Sequence, residues 1–244
     1  MSINIVTASG KGGVGKSTVC KGLGQCFAAS GKKTLLADCD AGLSSLDVMF
    51  SVTDRVNFTW IDVIEERCEL KDAIIELQEN LYLLPSPRQI LRDDYYEEFT
   101  ALIGECEEDY DIILLDAPAG VGRGFLRAAA CASRALIVAT ADEVSVKDAH
   151  TVNKVLKESS VSDTRLLINR YRLKSAKKGK LLTIDEIIDK TLVQLIGIIP
   201  EDENIIYSTV STKALKTKKS GGAFSRIAGR IMGENITLTL SQLK

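Results

Sequence analysis

The chain has 244 residues, 45% of them hydrophobic, with 31 basic against 33 acidic side chains and a net charge of −2. That length suits one α/β domain over residues 1–244, and the balanced charge argues against broad nucleic-acid binding. No apolar run approaches the roughly 20 residues that span a bilayer, and a strand pattern opens the chain where a signal peptide would stand; the expectation is a cytoplasmic protein, at most attached to the inner face of the cell membrane.

Ile3 to Ala8 form the first apolar strand pattern. Gly10-Lys11-Gly12-Gly13-Val14-Gly15-Lys16-Ser17 follows, then Thr18 and a helix in which Val19, Gly22, Leu23, Cys26 and Phe27 recur at helical spacing. A Gly, four residues and Gly-Lys-Ser between strand and helix make a phosphate cradle. Glycines let the backbone wrap an anion so that successive N–H groups point at it, and the start of the helix adds its positive end. Lys16 bridges the outer phosphates in such a loop, and the Ser17 hydroxyl ligates Mg²⁺. The pattern predicts nucleoside triphosphate binding. Lys11 is an extra cation inside the loop. With Lys16 already on the phosphate side, Lys11 is free to reach a nucleotide held by a second copy.

Further strands are predicted at Thr34 to Ala37, Leu81 to Leu84, Ile112 to Leu115, Ala135 to Ala139, Arg165 to Ile168 and Leu195 to Ile199. Near-continuous Ile/Leu/Val runs read as strands buried on both faces, as in parallel sheets. Helical faces lie between them: Tyr95, Phe99, Leu102 and Ile103; then Val152, Val155 and Leu156; then Ile187, Ile188 and Leu192 behind a Thr183/Glu186 capping box. The fold class is therefore α/β, a doubly wound, mainly parallel sheet flanked by helices. In such sheets ligands gather at the carboxyl ends of the strands. Asp38 and Asp40 end the second strand, and Asp116 follows Ile112-Ile113-Leu114-Leu115. Asp116 reads as the acid that holds Mg²⁺ through a water. Of Asp38 and Asp40, one is expected to order the segment at 41–47 and the other to orient an attacking water.

The six cysteines, Cys20, Cys26, Cys39, Cys68, Cys106 and Cys131, include no Cys-x-x-Cys pair and read as reduced, buried thiols. Lys174 to Lys180 (KSAKKGK) reads as a solvated loop. With Lys213, Lys216, Lys218 and Lys219 it keeps a DNA-binding variant open. In the tail, Ile236, Leu240 and Leu243 fit one helical face, and Ile236, Leu238 and Leu240 fit an edge strand. Neither gives the cationic and apolar surface of a membrane-interface helix.

The loop at 11–17 resembles the deviant Walker A motif of the MinD/ParA family of dimerising ATPases. Asp38-Cys39-Asp40-Ala41-Gly42-Leu43-Ser44-Ser45-Leu46-Asp47 is similar to the switch of its MinD branch, and Asp116-Ala117-Pro118-Ala119-Gly120 to that branch's Asp-Ser-Pro-Ala-Gly element. Asn169-Arg170-Tyr171 and the turn Pro200-Glu201-Asp202 match two more family segments, so the resemblance runs from Ile3 to about Met232. It implies ATP and Mg²⁺ as ligands and a homodimer formed with ATP, with hydrolysis regulated by a protein partner. Lys11 would cross to the partner's phosphates, Lys16 would act in the cradle, and Asp40 would position the water. Ser17, Asp38 and Asp116 would surround Mg²⁺, and Asn169, Arg170, Pro200, Glu201 and Asp202 would frame the adenine. The implied role is division-site (septum) placement; the alternative is DNA segregation or flagellum positioning. Thr140-Ala141-Asp142-Glu143-Val144 lacks the proline usual in the MinD branch, which leaves the partner open.

Overall fold

Strands β2 (Thr34–Asp38) and β5 (Ile112–Asp116) are buried from end to end, and β1 (Ile3–Ala8) is buried in all but its first residue. Strands apolar on both faces have to lie inside a layered structure. The computed structural model, which describes residues 2–89, 95–159, 161–208 and 220–239, places these three side by side. Around them lie β3 (Ile75–Gln78), β4 (Leu81–Leu84), β6 (Arg134–Ala139), β7 (Asp163–Tyr171) and β8 (Gln194–Pro200). The order across the sheet is β3-β4-β2-β5-β1-β6-β7-β8, parallel throughout except for β3 against β4.

Side-chain alternation divides the core into two layers. Val6, Leu35, Ile113, Leu115 and Ile137 face one layer; Ile5, Leu36, Ile112, Leu114 and Leu136 face the other. Helices α3 (Trp60–Ile64), α5 (Tyr96–Cys106), α6 (Arg123–Ala130), α7 (Glu143–Lys157) and α9 (Ile184–Thr191) cover the first layer. The second is covered by α1 (Lys16–Ala29), α2 (Leu46–Met49) and α11 (Ser220–Ile231), with Val19, Leu23, Phe27, Phe224 and Ile227 at its centre. The short helices α4 (Leu70–Ala73), α8 (Leu173–Ala176) and α10 (Glu203–Ser208) and a 3₁₀ turn at Thr53–Arg55 complete the described elements.

All seven expected strands form, several of them longer than the apolar runs. β7 extends to Tyr171 through β8 alone, which pairs with it as far as Pro200 while β6 stops at Ile168; Asn169 and Arg170 fall in the irregularity between, Arg170 at φ 55°. The antiparallel edge strand β3 was not anticipated: Ile-Glu-Leu-Gln is short and half exposed, and pairing with β4 defines it. The Thr183 capping box opens α9 as expected. Leu192, expected on its buried face, instead forms the C-cap at φ 56° and is 64% exposed. In Lys174 to Lys180 the lysines are exposed, but the segment begins in α8. Residues 234–239 form neither helix nor strand. Lys213, Lys216, Lys218, Lys219, Leu240 and Leu243 lie outside the described residues. All six cysteines are free thiols, but only Cys20, Cys39, Cys106 and Cys131 are buried, Cys26 and Cys68 being partly exposed; no described helix is long and apolar enough to cross a membrane.

Candidate functional site

Parallel registry gathers the site. Thr7 of β1 and Asp38 of β2 are both register partners of Asp116 in β5, which puts three polar side chains in one row at the carboxyl edge of the sheet. All three are fully buried. The segment between β1 and α1 turns over this row. Gly13 and Gly15 adopt φ 79° and 90°, the left-handed region open to glycine. A Cβ on Gly15 would lie 2.4 Å from Asn169 Nδ2, and one on Gly10 would lie 2.5 Å from Asp148 Cβ in α7. Backbone therefore approaches its neighbours as closely as a chain without side chains allows, and the space over Gly12 and Gly13 is left open.

Lys16 begins α1 and is buried, its Nζ donating to Asp116 Oδ1 at 2.6 Å. Burial works against the ammonium charge, but the adjacent Asp116 carboxylate outweighs it and keeps the Lys16 pKa above the ordinary lysine value. Thr7 Oγ1 also reaches Asp116 Oδ1, at 3.3 Å. Asp116 Oδ2 is buried with no hydrogen-bond partner among the described residues. A buried carboxylate oxygen in that condition wants a cation or a water. Ser17 Oγ accepts a bond from Ser45 Oγ at 3.1 Å, which links the loop to the segment after β2. Hydroxyl and carboxylate oxygens are the donors that Mg²⁺ prefers, so this set fits that ion.

Asp38 holds the 40–46 segment in place. Its Oδ1 accepts the Asp40 N–H at 3.0 Å; its Oδ2 accepts the N–H groups of Ser45 at 3.0 Å and Leu46 at 3.2 Å. Burial, reinforced by the negative charge of Asp116, pushes its pKa up to about 6 from the ordinary 3.8. Asp40 is half-buried beside the row, and burial raises its pKa too, with Lys16 opposing. Beneath this segment, Trp60 Nε1 donates to the Asp38 carbonyl at 3.1 Å, and Arg127 Nη2 donates to the Cys39 carbonyl at 3.4 Å. The Arg127 guanidinium stacks 4.7 Å from the Trp60 ring centre and 5.4 Å from that of Phe99.

Lys11 is 44% exposed, 3.5 Å from Asp142 Oδ1. Asp142 is the N-cap of α7: it accepts the Ser145 N–H at 3.0 Å and the Thr140 hydroxyl at 2.6 Å. Between the loop and the ends of β6–β8 lies a cleft of about 300 Å³, bounded by Lys11–Val14 backbone, Asp142, Arg170, Arg172 and Glu201. Arg170 and Arg172 both pair with Glu201, at 3.3 and 3.1 Å. Asn169 and Asp202 also make bonds within the protein. Asn169 Nδ2 donates to the Val14 carbonyl at 2.8 Å and its Oδ1 accepts the Arg170 N–H at 2.9 Å, so this amide pins the loop. Asp202 accepts two bonds from Asn204 at the start of α10. Pro200 closes β8 opposite Tyr171.

Sequence reasoning missed Thr7, Ser45, Arg127 and Arg172. The register of β1 against β5 is the signal for Thr7, and a hydroxyl pair inside the expected switch is the signal for Ser45. Nothing in sequence spacing marks Arg127, which depends on the packing of α6 against α3.

Residues 5–213 match the family model described as the CobQ/CobB/MinD/ParA nucleotide binding domain. A septum site-determining protein MinD from Synechocystis sp. is 36% identical over 239 residues, 95% of this chain and 90% of that protein. Among solved structures, the MinC:MinD cell division protein complex of Aquifex aeolicus superposes with a TM-score of 0.90 at 32% identity, covering 98% of both chains. The septum site-determining protein MinD of Pyrococcus horikoshii, complexed with Mg-ADP, gives 0.85 at 28% identity, covering 97% of this chain and all of that one.

Proposed function

Since the chain belongs to the CobQ/CobB/MinD/ParA nucleotide-binding family, in its MinD branch, we propose that it is an Mg²⁺-dependent ATPase, a nucleotide-driven dimerising switch that regulates where the division septum forms. The observation that carries this reading is the buried Lys16–Asp116 pair beneath an open, glycine-lined loop. A cation and an anion held there in direct contact are groups awaiting other partners. Lys16 is placed to exchange Asp116 for the outer phosphates of ATP. Ser17, and Asp116 through a water, would hold Mg²⁺, which supplies charge neutralisation on the phosphate oxygens. Thr18 and the N–H groups of the 10–17 loop would contact the phosphates at the start of α1.

Asp38 acts on the metal indirectly, by ordering the segment that carries Ser45 against Ser17. Asp40, on that same segment, orients the attacking water, and its raised pKa suits a group that accepts a proton as bond formation proceeds. The cleft beside Arg170 and Glu201 takes the adenine end, with Pro200 and Asp202 shaping the turn and Asn169 fixing the loop. Lys11 leaves the exposed Asp142 at little cost and reaches the triphosphate of a second copy. Leu43 on the switch and Val121 after β5, 76% and 39% exposed, provide apolar surface beside that mouth. A protein regulator of hydrolysis is part of this reading, since a MinC:MinD complex is among the structures this chain resembles.

Asp40→Ala separates binding from turnover. The variant should bind ATP, elute as a dimer with ATP and Mg²⁺ but as a monomer with ADP, and release no phosphate. Wild-type hydrolysis by this variant would remove Asp40 from the reaction.

A further inference from the structure

On the edge of the sheet opposite the 10–17 loop, the first residues of β6, β7 and β8 and the last turn of α11 enclose a cavity of about 230 Å³. Three arginines line it, Arg134, Arg165 and Arg230, and Asp163 is the one carboxylate among its lining residues. Each guanidinium is held in place. Arg134 Nη1 donates to the Ile231 carbonyl at 2.9 Å. Arg230 donates from Nε to the Ile236 carbonyl at 2.8 Å and from Nη1 to the Ile196 carbonyl at 2.9 Å. Arg165 Nε pairs with Asp163 Oδ1 at 2.8 Å.

Among the described residues that line the cavity, the charges do not balance. One carboxylate answers one arginine, while the other two bond to neutral carbonyls that fix direction without cancelling charge. Arg230 Nη2 is buried and has no hydrogen-bond partner among the described residues. Burial and the nearby Arg226 both weigh against the Arg230 charge, lowering its pKa. Like charges converging on a hollow repel unless an anion joins them, and an unpaired buried donor adds its own cost.

We propose that this basal cavity is a binding site for a compact oxyanion of the phosphate class. Guanidinium forks presented from the starts of β6 and β7 and from α11 suit a tetrahedral group with acceptor oxygens in several directions better than a planar carboxylate. The volume exceeds the roughly 30 Å³ share of one water several-fold, enough for a phosphate or phosphate ester. The site lies apart from the nucleotide loop and does not depend on the reading given to that loop. A free phosphate and a phospholipid headgroup present the same chemistry.

The test is titration calorimetry with inorganic phosphate at constant ionic strength, the 10–17 loop being filled beforehand with Mg²⁺ and a nonhydrolysable ATP analogue. Saturable binding is expected, weakened about tenfold in Arg165→Gln, the loss of about 1.4 kcal/mol from one charged contact. Asp163→Asn should tighten it, because the carboxylate competing for Arg165 is gone; a purely structural pair would give no gain. Sedimentation with phosphatidylglycerol and with phosphatidylcholine vesicles distinguishes the sources. Pelleting with the anionic vesicles that Arg165→Gln abolishes assigns a lipid headgroup, and phosphate binding without pelleting assigns a free anion. Absence of binding to both, or binding that Arg165→Gln leaves unchanged, overturns the proposal.

Discussion

Asp38→Asn should change the stability of the nucleotide-free protein by an amount that depends strongly on pH. The native carboxyl titrates near 6, against an ordinary value of 3.8, because it is buried and faces Asp116. A carboxyl with a raised native pKa binds its proton more tightly folded than unfolded. Its contribution is most favourable at low pH and is lost as pH rises through about 6. At about 1.4 kcal/mol per pH unit, the interval from 3.8 to about 6 amounts to about 3 kcal/mol. Asparagine has no such titration. Its amide oxygen can serve Ser45 and Leu46 while its NH₂ faces the Asp40 N–H, a mismatch of about 1–3 kcal/mol at every pH. The variant should therefore be clearly less stable than wild type near pH 4, and the gap should close or reverse by pH 7.5. Urea denaturation at matched pH, with unchanged slope, measures the gap. A difference that stays constant from pH 4 to 7.5 would refute the burial argument for Asp38.

Lys16→Ala should abolish ATP binding in calorimetry; affinity within about threefold of wild type, only about 0.65 kcal/mol, would remove the lysine from the cradle. Lys11→Ala should cost the monomer less than about 0.5 kcal/mol, since its pairing with Asp142 is exposed to solvent. ATP-dependent dimerisation should weaken by about 2–5 kcal/mol, read by light scattering with and without ATP; a wild-type dimer would leave Lys11 an ordinary loop lysine. Gly15→Ala places a methyl 2.4 Å from Asn169 Nδ2 at φ 90°, so a destabilisation of about 1–3 kcal/mol is expected. A variant as stable in urea as wild type would show that Asn169 does not clamp the loop.

The parts of this fold legible in sequence were those whose physics is local. The 10–17 loop declares itself because only glycine tolerates its backbone, and β2 and β5 do so because double-sided burial forces unbroken apolar runs. Thr183 and Glu186 are three residues apart, so their capping box is read directly. What escaped is set by contacts distant along the chain. Asn169 was recognised, but its bond to the Val14 carbonyl depends on β7 lying beside the loop. The Ile75–Gln78 strand needs β4 as its neighbour, and the exposure of Leu192 follows from a left-handed cap that apolar periodicity cannot foresee. Arg127 was invisible because its aromatic partners come from two other helices.

Trp60 is the only tryptophan in the chain. Its indole N–H rests on the carbonyl of the residue whose carboxylate ties down residues 40–46, and a guanidinium lies against its ring. Indole emission responds to its hydrogen bond and to nearby charge, so any rearrangement of that segment will alter the colour or brightness of one fluorophore, with no second tryptophan to dilute it. The unlabelled protein thus carries its own optical readout, and stopped-flow mixing with nucleotide can time the segment's movement without a dye.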